Sequence, residues 1–357
     1  MMGQQTRFTE AIKSREPQFE FELREKTGKP FPAKPHAMAA PCPVKLSRRR
    51  FIGVSATLTL APRMSLVGAE GDAKADPIID IHQHTHYHGR SDEDLIRHQK
   101  TMGVSLTVLL PAGSTVIRSS TLEGKANGLQ AECYGNESVV NLARGHPKEF
   151  LFFTNEVPDL PEAKAEMEKY LKLGARGIGE QKFSVDCDSV YIGRVAELAQ
   201  AHGVPVLLHF QHETYNLHIE RFHKVLEKYP KVNFIGHAQT WWANIDKNHA
   251  DQAVLYPKGG VTPGGITDRL LSDYPNMFGD CSAGSGLNGL TRDPEFTPGF
   301  LERHQNKLVF GSDCEDTVGS GEKCQGAQII AAIRRFAPSK AIERKILFEN
   351  TKRLLKL

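Results

Sequence analysis

Pro77-Ile78-Ile79-Asp80-Ile81-His82-Gln83-His84 is a short, mostly apolar run that ends in side chains able to bind metal. Residues 78–81 read as a buried β-strand, because β-branched residues suit extended backbone. The two-residue period of a strand puts Asp80, His82 and His84 on one face, so both imidazoles point past the strand's end in one direction. One cation can take both. His86 and His88 continue the pattern but fall in the following loop, where they are expected to face solvent or substrate.

Comparable runs recur at 104–110, 150–155, 175–179, 204–208, 232–236, 276–279 and 307–310. Helical patterns such as 92–101, 161–173, 191–202, 220–229 and 298–305 lie between them, and this alternation marks a parallel sheet with crossover helices. Eight strand–helix units within residues 70–357 match an α/β fold of the (β/α)8 barrel type in size and order. An open doubly wound sheet has the same periodicity. The barrel, as a single domain, is the expected architecture. Helices at 326–336 and 339–350 would close the ring, and 241–265 reads as an enlarged loop over the active face, suited to a lid.

The chain has 357 residues, 39% hydrophobic and 24% charged, enough to bury a sizeable core. Twelve of its 45 basic and five of its 42 acidic residues fall in 1–69, which leaves 33 basic and 37 acidic residues, a net −4, in 70–357. That balance argues against a nucleic-acid surface on the folded part. No run approaches the roughly 18 apolar residues of a membrane-spanning helix. The six cysteines include no Cys-x-x-Cys spacing and are too sparse for a disulfide scaffold. Cys281 and Cys314 follow neighbouring strands and are candidates to lie close together.

Residues 1–47 are polar and without apolar period, and are expected to form a disordered leader, with Met38 as an alternative start. Ser47-Arg48-Arg49-Arg50-Phe51-Ile52-Gly53, an apolar stretch and Val67-Gly68-Ala69 follow. The segment 48–69 resembles a twin-arginine export signal, which implies passage through that machinery to the periplasm or another exported location at the bacterial cell envelope.

In a barrel the carboxyl ends of the strands face the active site. Strand 4 ends in Gly179-Glu180, strand 5 in His209, strand 6 in His237 and strand 8 in Gly311-Ser312-Asp313. Alone, His209 or His237 would read as a hydrogen-bonded core histidine. Their repeated placement, together with Glu180 and Asp313, points to one shared site, because a carboxylate at a barrel mouth is costly without a cation. The candidate metal ligands are His82, His84, Glu180, His209, His237 and Asp313, a donor set that suits zinc, manganese or iron(II).

Taken in order, Asp80-Ile81-His82-Gln83-His84, His209, His237 and Gly311-Ser312-Asp313 resemble the amidohydrolase superfamily, in particular its family 2 branch of TIM-barrel metal enzymes, over residues 77–357. The resemblance implies that His82, His84 and Asp313 hold one divalent metal, zinc foremost, and that His209 shares it or holds a second ion beside His237. Gly179-Glu180 resembles the Gly-Glu of the metal-dependent deoxyribonuclease branch, where glutamate bridges two ions. Lys182 would then contact substrate.

The expected activity is hydrolysis of a small carbonyl compound, an amide, lactone or ester. Asp313 would move the proton, and His237, if not a ligand, would steady the developing oxyanion. Substrate contacts are expected from Trp241, Trp242 and Arg118. The alternative is zinc-dependent, non-oxidative decarboxylation of an aromatic or dienoic acid, which predicts one ion and a cation facing the substrate carboxylate. Phosphoester or DNA cleavage ranks lower, for want of a basic surface. The partner is a small-molecule substrate, and the branch implies a homodimer.

Overall fold

A computed structural model describes residues 76–125 and 133–357. The expected leader and export signal lie outside the described residues. Within them run eight strands: β1 (Ile79–Gln83), β2 (Leu106–Leu109), β3 (Phe150–Phe152), β4 (Ile178–Gln181), β5 (Val206–His209), β6 (Phe234–His237), β7 (Met277–Asp280) and β8 (Leu308–Val309). Helices α1 (Asp92–Met102), α2 (Asn136–Gly145), α3 (Ala163–Lys172), α4 (Val190–His202), α5 (His223–Lys228), α6 (Gln239–Ala243), α7 (Ile266–Asp273), α8 (Ala283–Thr291) and α9 (Phe296–Arg303) connect them. After β8 come α10 (Gln325–Phe336), α11 (Lys340–Arg344) and α12 (Asn350–Leu354).

Every strand pair is parallel, in the orders β1-β2-β3 and β4-β5-β6-β7-β8. At one seam Thr154 bridges Ile178, and its N–H donates to Gly177 O at 3.0 Å. At the other, Ile81 N–H donates to Phe310 O at 3.0 Å. This is the (β/α)8 order, with the hydrogen bonding divided into two sheets.

Local sequence explains the elements. Ser91 accepts the Asp94 N–H at the start of α1, three acidic residues fill its first turn, and Gly103 ends it at φ 80°. Ser189 and Gly203 repeat the device around α4.

Alternating strand residues then separate two cores. Ile81, Val108, Leu110, Phe153, Leu207, Ile235, Phe278 and Val309 fill the barrel interior, with Leu354 and Leu355 packed against them. Their neighbours, such as Val206, Leu208 and Phe234, pack in the cluster that includes the helices' buried faces. No helix among the described residues is long and apolar enough to cross a membrane.

The two tryptophans belong to this packing, which corrects the expectation that they touch substrate. Trp241 stacks near Phe210 and closes over Gly236, while Trp242 donates from Nε1 to Asp280 O at 2.9 Å; both are buried. Apolar surface that large is stabilised inside, and each ring fits only because a glycine faces it.

Candidate metal centre

Strand-end placement brings all six of the predicted side chains together. His82 Nε2 lies 3.5 Å from Glu180 Oε2 and 3.8 Å from Asp313 Oδ1, and His84 Nε2 lies 3.6 and 3.4 Å from the same two oxygens. His237 Nε2 faces the other oxygen of each carboxylate, at 3.6 Å from Glu180 Oε1 and 3.5 Å from Asp313 Oδ2. Two triplets, His82–Glu180–His237 and His82–His84–Asp313, have spacings that can hold an ion. His209 stands outside both triplets: its Nδ1 is hydrogen-bonded to Glu180 Oε1, and its Nε2 is 3.2 Å from Gln211 Oε1. A cavity of about 340 Å³, lined in part by Gln211, His212, Asn216, Thr240 and Gln252, opens on that side.

The backbone makes this convergence possible. At Gly179, φ is 138° and a Cβ would stand 2.6 Å from Leu207 O, so only glycine lets β4 press against β5 and present Glu180. Asn155 Nδ2 fixes the Glu180 carbonyl at 2.8 Å. At the last seam, Asp313 N–H donates to His82 O at 2.9 Å.

Asp80 lies beside the cluster without joining it. Its carboxylate accepts from the backbone of His82 and Ser312 and from the side chains of Ser312 and Gln99. Burial nevertheless pushes it up to about 6.

The tautomers are set from outside the cluster. His82 Nδ1 is 2.7 Å from Asp280 Oδ2, and His84 Nδ1 is 2.8 Å from Leu110 O. His237 Nδ1 is 2.8 Å from Ser282 Oγ, which donates to Asp280 Oδ2 at 2.7 Å. Each Nδ1 therefore carries the proton, and each Nε2 turns a lone pair toward carboxylates. Lone pairs and carboxylate charges crowded in this way repel unless a cation or extra protons stand among them. Consistent with that, His82 Nε2 and Asp313 Oδ1 are buried with no hydrogen-bond partner. The residues fit a divalent cation.

Without one, protons compensate. Burial opposes charge on His82, but Asp313, Asp280 and Glu180 outweigh it and hold the ring well above its usual range. For His84, Cys133 and Asp313 likewise overcome burial and raise it to about 10. Burial would raise Glu180, yet His209, His82 and Lys182 hold it well below the usual carboxylate range. His209 falls to about 4, chiefly by desolvation.

Three residues at the site were not read from the sequence. Asp280 orients two histidines, but the expected seventh strand stopped one residue short of it. Ser282 relays that contact. Tyr87 packs edge-on against His84, ring centroids 5.0 Å apart, and burial with the charges of Asp313 and Glu180 keeps its phenol protonated. The signal available for Asp280 was its place at a strand end, the same that marked His209 and His237.

The remaining candidates lie around the rim. Arg118 donates from Nε to Asp159 at 3.0 Å, and Lys182 Nζ lies over the Tyr215 ring at 5.6 Å. His86 stacks on Tyr134, and exposed His88 pairs with Glu315 at 3.3 Å. Cys281 makes no disulfide, and Cys314 faces Cys324 instead, Sγ to Sγ 3.9 Å.

Several solved structures share this fold at low sequence identity. A dihydroxybenzoic acid decarboxylase from Polaromonas sp. JS666, with bound manganese and the inhibitor 2-nitroresorcinol, is 16% identical, with TM-score 0.54, over 79% of this chain and 97% of its own. A 2,6-dihydroxybenzoate decarboxylase from Rhizobium is 13% identical, with TM-score 0.53, over 79% and 99%. A Pseudomonas putida protein assigned as a 2-pyrone-4,6-dicarboxylic acid hydrolase is 13% identical, with TM-score 0.52, over 79% and 98%. No curated protein sequence matches the chain. The amidohydrolase family model, Amidohydro_2, matches residues 79–357, and the chain therefore belongs to the amidohydrolase family.

Proposed function

We propose that the chain is a metal-dependent hydrolase of a small carbonyl compound, an amide, ester or lactone. The observation that carries this reading is the division of two carboxylates between two sets of histidines. Glu180 and Asp313 each turn one oxygen toward His82 and His84 and the other toward His237. That division supports a pair of divalent ions, which His82, His84, His237, Glu180 and Asp313 would hold, with His209 hydrogen-bonded to Glu180 beside them. Bound there, such ions supply Lewis acidity, which polarises a carbonyl oxygen and makes water more acidic.

The chain's own residues do the rest. Asp313, held by its backbone to His82, takes the proton of the attacking water on its carboxylate and passes it to the leaving group. His237 acts as a ligand rather than an oxyanion donor, because Ser282 holds the proton on Nδ1. The protonated Tyr87 phenol donates to the oxygen on which charge develops. Lys182, whose charge acts on both Glu180 and His209, draws an electron-rich substrate to the mouth.

Lys182 also favours a second reading, decarboxylation of an aromatic or dienoic acid, since its ammonium would pair with a substrate carboxylate. The decarboxylases from Polaromonas and Rhizobium share the fold. The test is a panel of esters, lactones, amides and aromatic acids, assayed for hydrolysis product and for released carbon dioxide with zinc- or manganese-loaded protein. Hydrolysis that is lost in Glu180→Gln supports the first reading. Carbon dioxide release without hydrolysis overturns it.

A further inference from the structure

A second group of donors lies behind the β8 end of the barrel and takes no part in the chemistry above. His98 comes from α1, Cys314 follows directly on Asp313, and Cys324 caps the N-terminus of α10. All three are buried, and their donor atoms lie within 4.8 Å of one another. Cys314 Sγ is 3.9 Å from Cys324 Sγ, and Cys324 Sγ is 3.3 Å from His98 Nε2. Asp316 Oδ2, 3.9 Å from His98 Nε2, adds an oxygen donor.

We propose that His98, Cys314 and Cys324 form a separate structural site for a borderline-soft divalent ion of the zinc class, with Asp316 or water completing the shell. The spacing decides between this and a disulfide. Bonds of about 2.3 Å to sulfur and about 2.0 Å to nitrogen, at tetrahedral angles, separate two thiolates by about 3.8 Å and a thiolate from an imidazole by about 3.5 Å. The observed separations are 3.9 and 3.3 Å. A disulfide would need the sulfurs about 2.05 Å apart. Two thiolates and an imidazole also select zinc over the harder cations that suit carboxylates.

The surroundings give such an ion a task. Residues 310–324 contain no helix or strand, yet they begin with the segment that carries Asp313. The loop already grips its neighbours: Arg90 Nη1 donates to Cys314 O at 2.7 Å and to Asp316 O at 3.0 Å, and Gln83 Nε2 donates to Cys314 O at 3.0 Å. At Gly319 it approaches α1 so closely that a Cβ would stand 2.4 Å from His98 O. An ion on the three donors would cross-link α1, the start of this loop and α10, and so hold Asp313 at the barrel mouth.

The test uses the full chain loaded with cobalt(II), whose thiolate complexes absorb in the near ultraviolet by charge transfer. Wild type is expected to show that absorption and to bind one more equivalent of metal than Cys324→Ser, which loses the band; His98→Asn is expected to weaken it. His82→Ala, which dismantles the centre in the mouth, should keep it. Absence of the band in wild type overturns the proposal, and so does a band that survives Cys324→Ser and disappears with His82→Ala. Recovery of a Cys314–Cys324 cross-linked peptide from the metal-loaded wild-type protein under non-reducing conditions overturns it as well. The wild-type spectrum and peptide map need no variant to fold.

Discussion

His82 Nδ1–H donates a hydrogen bond to Asp280 Oδ2, 2.7 Å away at the end of β7, which leaves Nε2 buried and unpaired at the centre of the cluster. In Asp280→Asn the amide can donate where the carboxylate only accepts, and the imposed tautomer is lost. Metal affinity or turnover is expected to fall about 10–100-fold while the fold persists, as for other residues that orient a ligand. Metal titration together with circular dichroism checks this.

Gly236 precedes His237 and lies beneath Trp241, whose ring would meet an added Cβ at 2.4 Å. Gly236→Ala is expected to cost about 1–3 kcal/mol by overpacking and to lower turnover, because the strain falls on the strand that presents His237. Gly284→Ala, where the nearest atom would be 3.5 Å away, is the matched control and should be neutral or stabilising by up to about 1 kcal/mol. Urea denaturation and turnover of the two variants decide it.

Metal binding at the mouth should release protons. His82 and His84, both held above 6.5 in the metal-free protein, must lose them to coordinate, so apparent affinity is expected to climb as pH rises toward about 10, the value for His84. The metal-free protein should behave in the opposite sense. A raised histidine adds stability below its unfolded value, and this is lost as pH rises through the folded value, about 10 for His84. Chelator-treated protein is therefore expected to melt lower as the solution becomes alkaline, and calorimetry with and without metal measures the difference.

Asp268 ties α7 to the end of α9. It accepts from His304 Nε2 at 2.6 Å, from Arg303 Nη2 at 3.3 Å and from Gly264 N–H at 2.8 Å. Burial would raise its carboxyl, but these partners hold it below 3.8. Its contribution is therefore complete above about pH 4 and fades as acid titrates the folded form. Asp268→Asn should lose about 1–3 kcal/mol at neutral pH and show a shallower decline in acid, measured by denaturation at each pH.

The legible part of the site was the part written at strand ends. His82, His84, Glu180, His209, His237 and Asp313 each close or follow an apolar run, and barrel geometry sends such positions to one mouth. What could not be read depends on how distant segments turn toward each other. Trp241 and Trp242 looked like rim aromatics, but the missing Cβ atoms of Gly236 and Gly289 draw them inward. Strand adjacency singled out Cys281 as a neighbour for Cys314, but it gave no sign of Cys324, which the loop after β8 brings to within 3.9 Å of Cys314 by folding back. His209, one of six similar candidates, faces Glu180 because a side-chain rotation, invisible in sequence, decides which atom meets which.

The first and last strands meet at Ile81–Phe310 and again at His82–Asp313. A growing chain that has completed β7 already possesses His82, His84, Glu180, His209 and His237, but no partner for the opening strand's free edge and no Asp313. The six candidate ligands are therefore complete only once the eighth strand has been made and joined to the first, so a site that includes Asp313 is a product of ring closure.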